Sequence, residues 1–159
     1  MRPLLRDRRG AVYVEFLAAF LPLLFFHFAL VQYAFIVQAD LITKHAALLA
    51  ARAAIVVLHD DPAEYDGVPV GRVQGKRKDD IERAARIPLS TMGFNLASVK
   101  VVMNDAYARD ELVTVRVEYD FHCRIPMARS VLCSFITNRK KLVGEASLPN
   151  QGADYAYPE

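Results

Sequence analysis

The hydrophobic residues of this chain fall into three patterns. Residues 16–37 read FLAAFLPLLFFHFALVQYAFIV, 22 positions with no formal charge at pH 7. A segment apolar on every side suits a helix surrounded by lipid. At 1.5 Å per residue it spans about 33 Å, enough for a hydrocarbon core of about 30 Å. After Gln38 the pattern turns amphipathic. Gln38, His45, Arg52 and His59 recur at heptad spacing, while Leu41, Ile42, Leu48, Leu49, Ile55 and Val56 supply an apolar side. Ala46, Ala47, Ala50, Ala51, Ala53 and Ala54 add helix propensity and a slim profile. One long helix is predicted over residues 11–58, its second half packing against a folded head. Pro62 cannot continue it. A loop rich in Asp, Gly and Pro follows, then a short helix over 80–86, capped by Asp79 or Asp80 and closed by Pro88.

The third pattern is strict alternation. Val113, Val115, Val117, Tyr119, Phe121 and Cys123 alternate with Thr114, Arg116, Glu118, Asp120 and His122, which predicts a strand with one buried and one wet face. Val99, Val101 and Met103 alternate upstream, and residues 104–110 would close an antiparallel hairpin. Residues 142–148 can add a third strand. The expected fold class is α+β: a long N-terminal helix, half membrane-spanning and half amphipathic, packed on a small antiparallel sheet.

Charge refines this picture. The 159 residues carry 20 Lys and Arg against 18 Asp and Glu. Residues 1–10 hold Arg2, Arg6, Arg8 and Arg9 against Asp7, and the remainder is slightly acidic. A nucleic-acid partner would call for a basic folded face, so none is expected. Arginines ahead of the apolar run place the N-terminus in the cytoplasm by the positive-inside rule. The expected organisation is a cytoplasmic basic leader at 1–10, a transmembrane helix at 11–39 and a periplasmic head at 40–159. In an oxidising compartment Cys123 and Cys133 are a candidate disulfide, with two buried thiols as the alternative.

The chemistry concentrates at the leader boundary. Gly10 is preceded by Arg8 and Arg9, and Glu15 and Phe16 follow at the start of the apolar run. A carboxylate at the centre of a membrane helix costs about 2.5–3.5 kcal/mol, less near its edge, so Glu15 calls for a partner. Cleavage between Gly10 and Ala11 would create an α-amino group about 6 Å along the helix from Glu15. An ammonium–carboxylate pair formed with a neighbouring copy would fix the register of packed helices. Glu15 is also expected in the first helical turn, where the macrodipole favours an anion. The plain alternative is a headgroup-level Glu on an ordinary signal anchor. Pro22 leaves the Ala18 carbonyl without its donor and is expected to kink or locally melt the span.

The run Arg8-Arg9-Gly10-Ala11-Val12-Tyr13-Val14-Glu15-Phe16, followed by an apolar segment containing Pro22, resembles the processing site of type IV pilin-like proteins. More narrowly it resembles the TadE-like minor pseudopilins of the tight-adherence (Tad) pilus. The Ala-rich stretch with Arg52, and the alternating strand paired with Gly144-Glu145-Ala146, are similar too. The resemblance covers residues 8–58 well and the head loosely, and the two cysteines lie outside its pattern. It implies a prepilin peptidase cutting Gly10–Ala11 and Glu15 as assembly carboxylate. It also implies a Flp-type major pilin, other TadE/TadF-like pseudopilins and an inner-membrane assembly platform as partners, beside membrane lipid. The implied role is biogenesis of an adhesive pilus.

Other readings are weaker. Val37-Gln38-Ala39 resembles a secretory cleavage site before Asp40, which would release a periplasmic domain of unrelated function, and Arg8-Arg9 can be read as a twin-arginine signal. No enzyme activity and no cofactor are expected. His122 and Cys123 are neighbours on a strand and point to opposite faces. His122, Cys123 and Cys133 are one ligand short of a structural zinc site. Asp60, Asp61, Glu64 and Asp66 read as a solvated loop before a calcium site. His27 and Gln32 read as contacts to other helices, and His45 and His59 as solvated.

Overall fold

In the computed structural model, residues 10–91, 95–134 and 136–150 are described; residues 1–9, which hold Arg8, Arg9 and most of the expected leader, lie outside them. Lacking glycine and rich in Ala and Leu, the N-terminal run forms one 47-residue helix, α1 (Ala11–Val57). Pro22 lies inside α1 without ending it, so the expected local melting is not observed. A proline removes one donor and crowds the carbonyl four residues before it, which a long helix can absorb by local adjustment rather than by ending. α1 is long and apolar enough to cross a membrane, and its most apolar stretch is not covered by the other described residues.

The remaining elements are a 3-10 turn (Pro62–Tyr65), α2 (Gly75–Ser90), a 3-10 turn (Leu96–Ser98), β1 (Val99–Val102), β2 (Leu112–His122), α3 (Pro126–Leu132) and β3 (Arg139–Pro149). The strands form one sheet in the order β1-β2-β3. β1 and β2 pair antiparallel, with Val99 opposite Tyr119 and Val101 opposite Val117. β3 also runs antiparallel to β2, since Ser147 meets Thr114 at one end and Lys141 meets Glu118 at the other. The fold is therefore α+β, a long N-terminal helix with a small antiparallel sheet.

Two compact units make up the chain: Met1–Ile36 with His122–Arg139, and Val37–Phe121 with Lys140–Glu159. In the second unit, the alternation of β2 buries Val113, Val115, Val117, Tyr119 and Phe121. The helical residues facing this core are Ala39, Thr43, Ala46, Ala47, Ala50, Ala51, Ala54 and Leu58. That corrects the expected core face: Leu41 and Val56 are 61% and 67% exposed, and Ile42, Leu48, Leu49 and Ile55 only half-buried. The reason is close approach. A Cβ on Gly144 of β3 would collide with the carbonyl of Thr43 and lie 2.8 Å from Lys44 Cα. Only a face of small side chains lets helix and strand backbones meet at that separation.

α2 also differs from expectation. It starts at Gly75 with Gln74 as N-cap, carries Asp79 and Asp80 inside, and runs through Pro88 to Ser90. Arg77, Ile81, Ala85 and Leu89 form its buried stripe at i,i+4 spacing. Burying Leu89, worth about 1.5–3 kcal/mol, offsets the bond lost at Pro88.

Candidate functional site

At the N-terminal boundary, Gly10 is exposed, and its carbonyl accepts the first bond of α1, from the Val14 amide at 3.2 Å. The Gly10–Ala11 bond therefore sits at the start of the helix. Among the described residues, nothing lies within 4 Å of where a Gly10 Cβ would be. Glu15 is exposed on the bare helix. The first turn of α1 holds no acidic residue, which corrects the expectation for Glu15: it is the fifth residue and gains less from the macrodipole. Phe16 stacks on Phe20 with ring centroids 5.3 Å apart. Gly10, Ala11, Glu15, Phe16 and Pro22 thus share one uninterrupted helix start.

The cysteines are joined: Cys123–Cys133 is a disulfide spanning ten positions, and α3 lies between its ends. The Cys123 amide donates to Asn138 O at 3.0 Å and Ser134 to Arg139 O at 3.2 Å, which closes residues 122–139 into a hairpin-like loop. This loop packs on the N-terminal part of α1. Gln32 is fully buried, and its Oε1 accepts from the Ile125 amide at 3.1 Å. Gln32, expected to bond another helix, is therefore engaged by its own chain. A groove of about 390 Å³ runs beside this contact, lined by His27, Phe28 and Val31 and by residues 124–127.

In the other unit, Arg77 was hidden in the sequence by the charged run around it. Its side chain is fully buried and gathers carbonyls at the end of α1. Nη1 donates to Val57 O (3.1 Å) and Leu58 O (2.6 Å), and Nη2 to Asp60 O (2.8 Å) and Val68 O (3.3 Å). The guanidinium lies 4.7 Å from the Tyr65 ring centroid. A cation at the C-terminal end of a helix also complements its dipole. The i,i+4 stripe with Ile81 and Ala85 was the signal that could have found it. His59, expected to be solvated, is half-buried with Nε2 2.6 Å from Asn150 Oδ1. Asn150 in turn donates through Nδ2 to Ala108 O.

Burial and the neighbouring Asp60 and Asp80 charges push the Tyr65 phenol above its ordinary pKa. Burial does the same for Tyr107. Glu118 is held below its ordinary value by its hydrogen bond and ion pair with Lys141 and by Arg116. Asp60 and Asp61 serve the chain itself: Asp60 Oδ1 accepts from the Asp61 amide and Asp61 Oδ1 from the Ala63 amide. With both cysteines in the disulfide, His122 has no thiolate beside it. Among the described residues, no group of three or more His, Cys, Asp and Glu is placed to hold a metal.

No protein-family profile, curated protein or solved structure matches the chain.

Proposed function

We propose that the chain is a non-enzymatic, TadE-like minor pseudopilin, cut between Gly10 and Ala11 by a prepilin peptidase and taking part in assembly of a Tad-type pilus used in adhesion. One observation carries the reading: α1 begins at Ala11, directly after an exposed Gly10, and presents Glu15 uncovered one turn on. Cleavage there leaves an ammonium and a carboxylate on the same bare apolar helix, able to pair with the matching groups of another subunit. The Arg8-Arg9 leader supports a cytoplasmic N-terminus and a periplasmic head. A Flp-type major pilin, other TadE/TadF-like pseudopilins and the inner-membrane platform are the partners this reading names.

The continuity of α1 weighs against an ordinary signal sequence cut before Asp40. Ala39 is buried and sits in mid-helix, so release there would sever the helix inside its packed face.

The test is the mature N-terminus of the protein from cells with and without the peptidase. Ala11 with the enzyme and Met1 without it is the expected result. Asp40, or Met1 in both strains, overturns the reading. Glu15→Ala should leave processing and membrane insertion intact and reduce piliation.

A further inference from the structure

We propose that the disulfide-closed loop 122–139 is a membrane-interface anchor that inserts apolar side chains into the leaflet at the C-terminal end of the span and binds anionic lipid headgroups through arginines. The proposal rests on α1 crossing a bilayer, and is independent of the pilus assignment.

The loop is fastened to α1 at Gln32 and along His27–Val31. From Glu15 to His27 the helix rises about 18 Å, and to Gln32 about 26 Å. With Glu15 at one boundary of a core about 30 Å thick, the loop meets the span below its far edge. A loop fastened at that level must enter the headgroup and acyl boundary.

Residues 122–139 contain Arg124, Arg129 and Arg139 and no Asp or Glu, in a chain whose remaining head residues are acidic on balance. All three arginines are exposed, and none forms an ion pair among the described residues. On the same loop Val131 and Ile136 are 66% and 89% exposed. Large apolar groups beside unpaired cations match a surface that is apolar below and anionic above. The groove between α1 and residues 124–127 has an apolar floor with Arg124 among its lining residues, dimensions and chemistry that suit a phospholipid chain with its phosphate on the guanidinium.

The loop also explains why the backbone can go there. The α3 turn, the Cys123–Asn138 and Ser134–Arg139 backbone bonds and the Gln32–Ile125 bond pair backbone groups that would otherwise be costly at that depth.

The chain has no tryptophan, so one introduced residue is a unique fluorophore. Full-length Ile136→Trp and Phe26→Trp, each reconstituted in vesicles, are compared using brominated lipids as quenchers. Phe26, exposed on the span, reports whether α1 is inserted. The expected result is deep quenching at Phe26→Trp, and blue-shifted emission with shallow quenching at Ile136→Trp. The latter should be stronger in phosphatidylcholine–phosphatidylglycerol than in phosphatidylcholine alone. Adding Arg124→Gln and Arg129→Gln should lower the inserted-to-exposed ratio of Ile136→Trp by about 5-fold per arginine in the anionic vesicles. Water-like emission at Ile136→Trp in both vesicles, with Phe26→Trp quenched, overturns the anchor and leaves the span standing. Absence of quenching at Phe26→Trp overturns both.

Discussion

Gln32 Oε1 accepts a hydrogen bond from the Ile125 amide at 3.1 Å, tying α1 to a loop 93 positions away. Gln32 is fully buried, so water cannot replace it. Gln32→Leu keeps the volume and removes the acceptor, which leaves a part-buried amide unpaired at a cost of about 1–3 kcal/mol. Amide exchange should speed up at Ile125 and through α3 while Val115 in β2 keeps its protection. Unchanged exchange at Ile125 would show that the bond contributes nothing.

Elements with their own periodicity were legible in the sequence. α1 was readable to within a residue at its ends, and β2 from eleven alternating positions. The contacts that join elements were not. The buried face of α1 looked like its Leu and Ile side because hydrophobicity outranks size in a periodicity argument. The decisive residue, Gly144, lies a hundred positions away. Arg77 stands in a run of charged residues, and only the folded end of α1 distinguishes it from its neighbours. At the N-terminal site the position of Gly10, Ala11 and Glu15 on one helix was readable. The partner of Gln32 was not, because α3 and its loop carry little periodic signal.

The disulfide Cys123–Cys133 closes a short loop, and the loop-entropy estimate gives about 2.5–3 kcal/mol for it. Reduction, or Cys123→Ser with Cys133→Ser, should therefore open residues 122–139 before the sheet. Limited proteolysis after Arg124 or Arg129 should accelerate on reduction, with the strands still protected. Simultaneous loss of both regions would mean that the bridge holds the whole fold.

Gly144→Ala places a methyl against the Thr43 carbonyl and Lys44 Cα, backbone atoms that cannot swing aside. Overpacking of this kind costs about 1–3 kcal/mol. A fall in Tm of about 4–8 °C per kcal/mol is expected for a unit of this size. Ala46→Leu, on the facing helical stripe, should act in the same direction. A neutral Gly144→Ala would show that strand and helix separate at little cost.

Tyr65 and Tyr107 both hold their protons more tightly folded than unfolded. Above about pH 10 the unfolded chain loses these protons first, so the stability they contribute is complete below that pH and is lost as pH rises through their raised folded values. Denaturant midpoints should fall above pH 10 more in the parent than in Tyr65→Phe with Tyr107→Phe. Spectrophotometric titration should show late phenol ionisation that Tyr65→Phe and Tyr107→Phe reduce and that normalises on unfolding. Parallel declines in the two proteins would remove these rings as the cause.

Arg77 closes the end of α1 with four carbonyl contacts from two guanidinium nitrogens, and Tyr65 lies against its face. Arg77→Met retains the apolar stem and removes the donors to Asp60 O and Val68 O, while Val57 O and Leu58 O keep the Asp60 and Gly71 amides. With about 1–3 kcal/mol for each of these two acceptors, a loss of at least about 2 kcal/mol is expected. Arg77→Lys separates charge from geometry. It keeps the cation at the helix terminus, worth about 0.3–1 kcal/mol, but one ammonium cannot serve acceptors arranged around a planar fork. Denaturation should therefore rank the parent above Lys and Lys only slightly above Met. Equal stability of Lys and parent would make the charge, rather than the fork, the reason Arg77 is buried there.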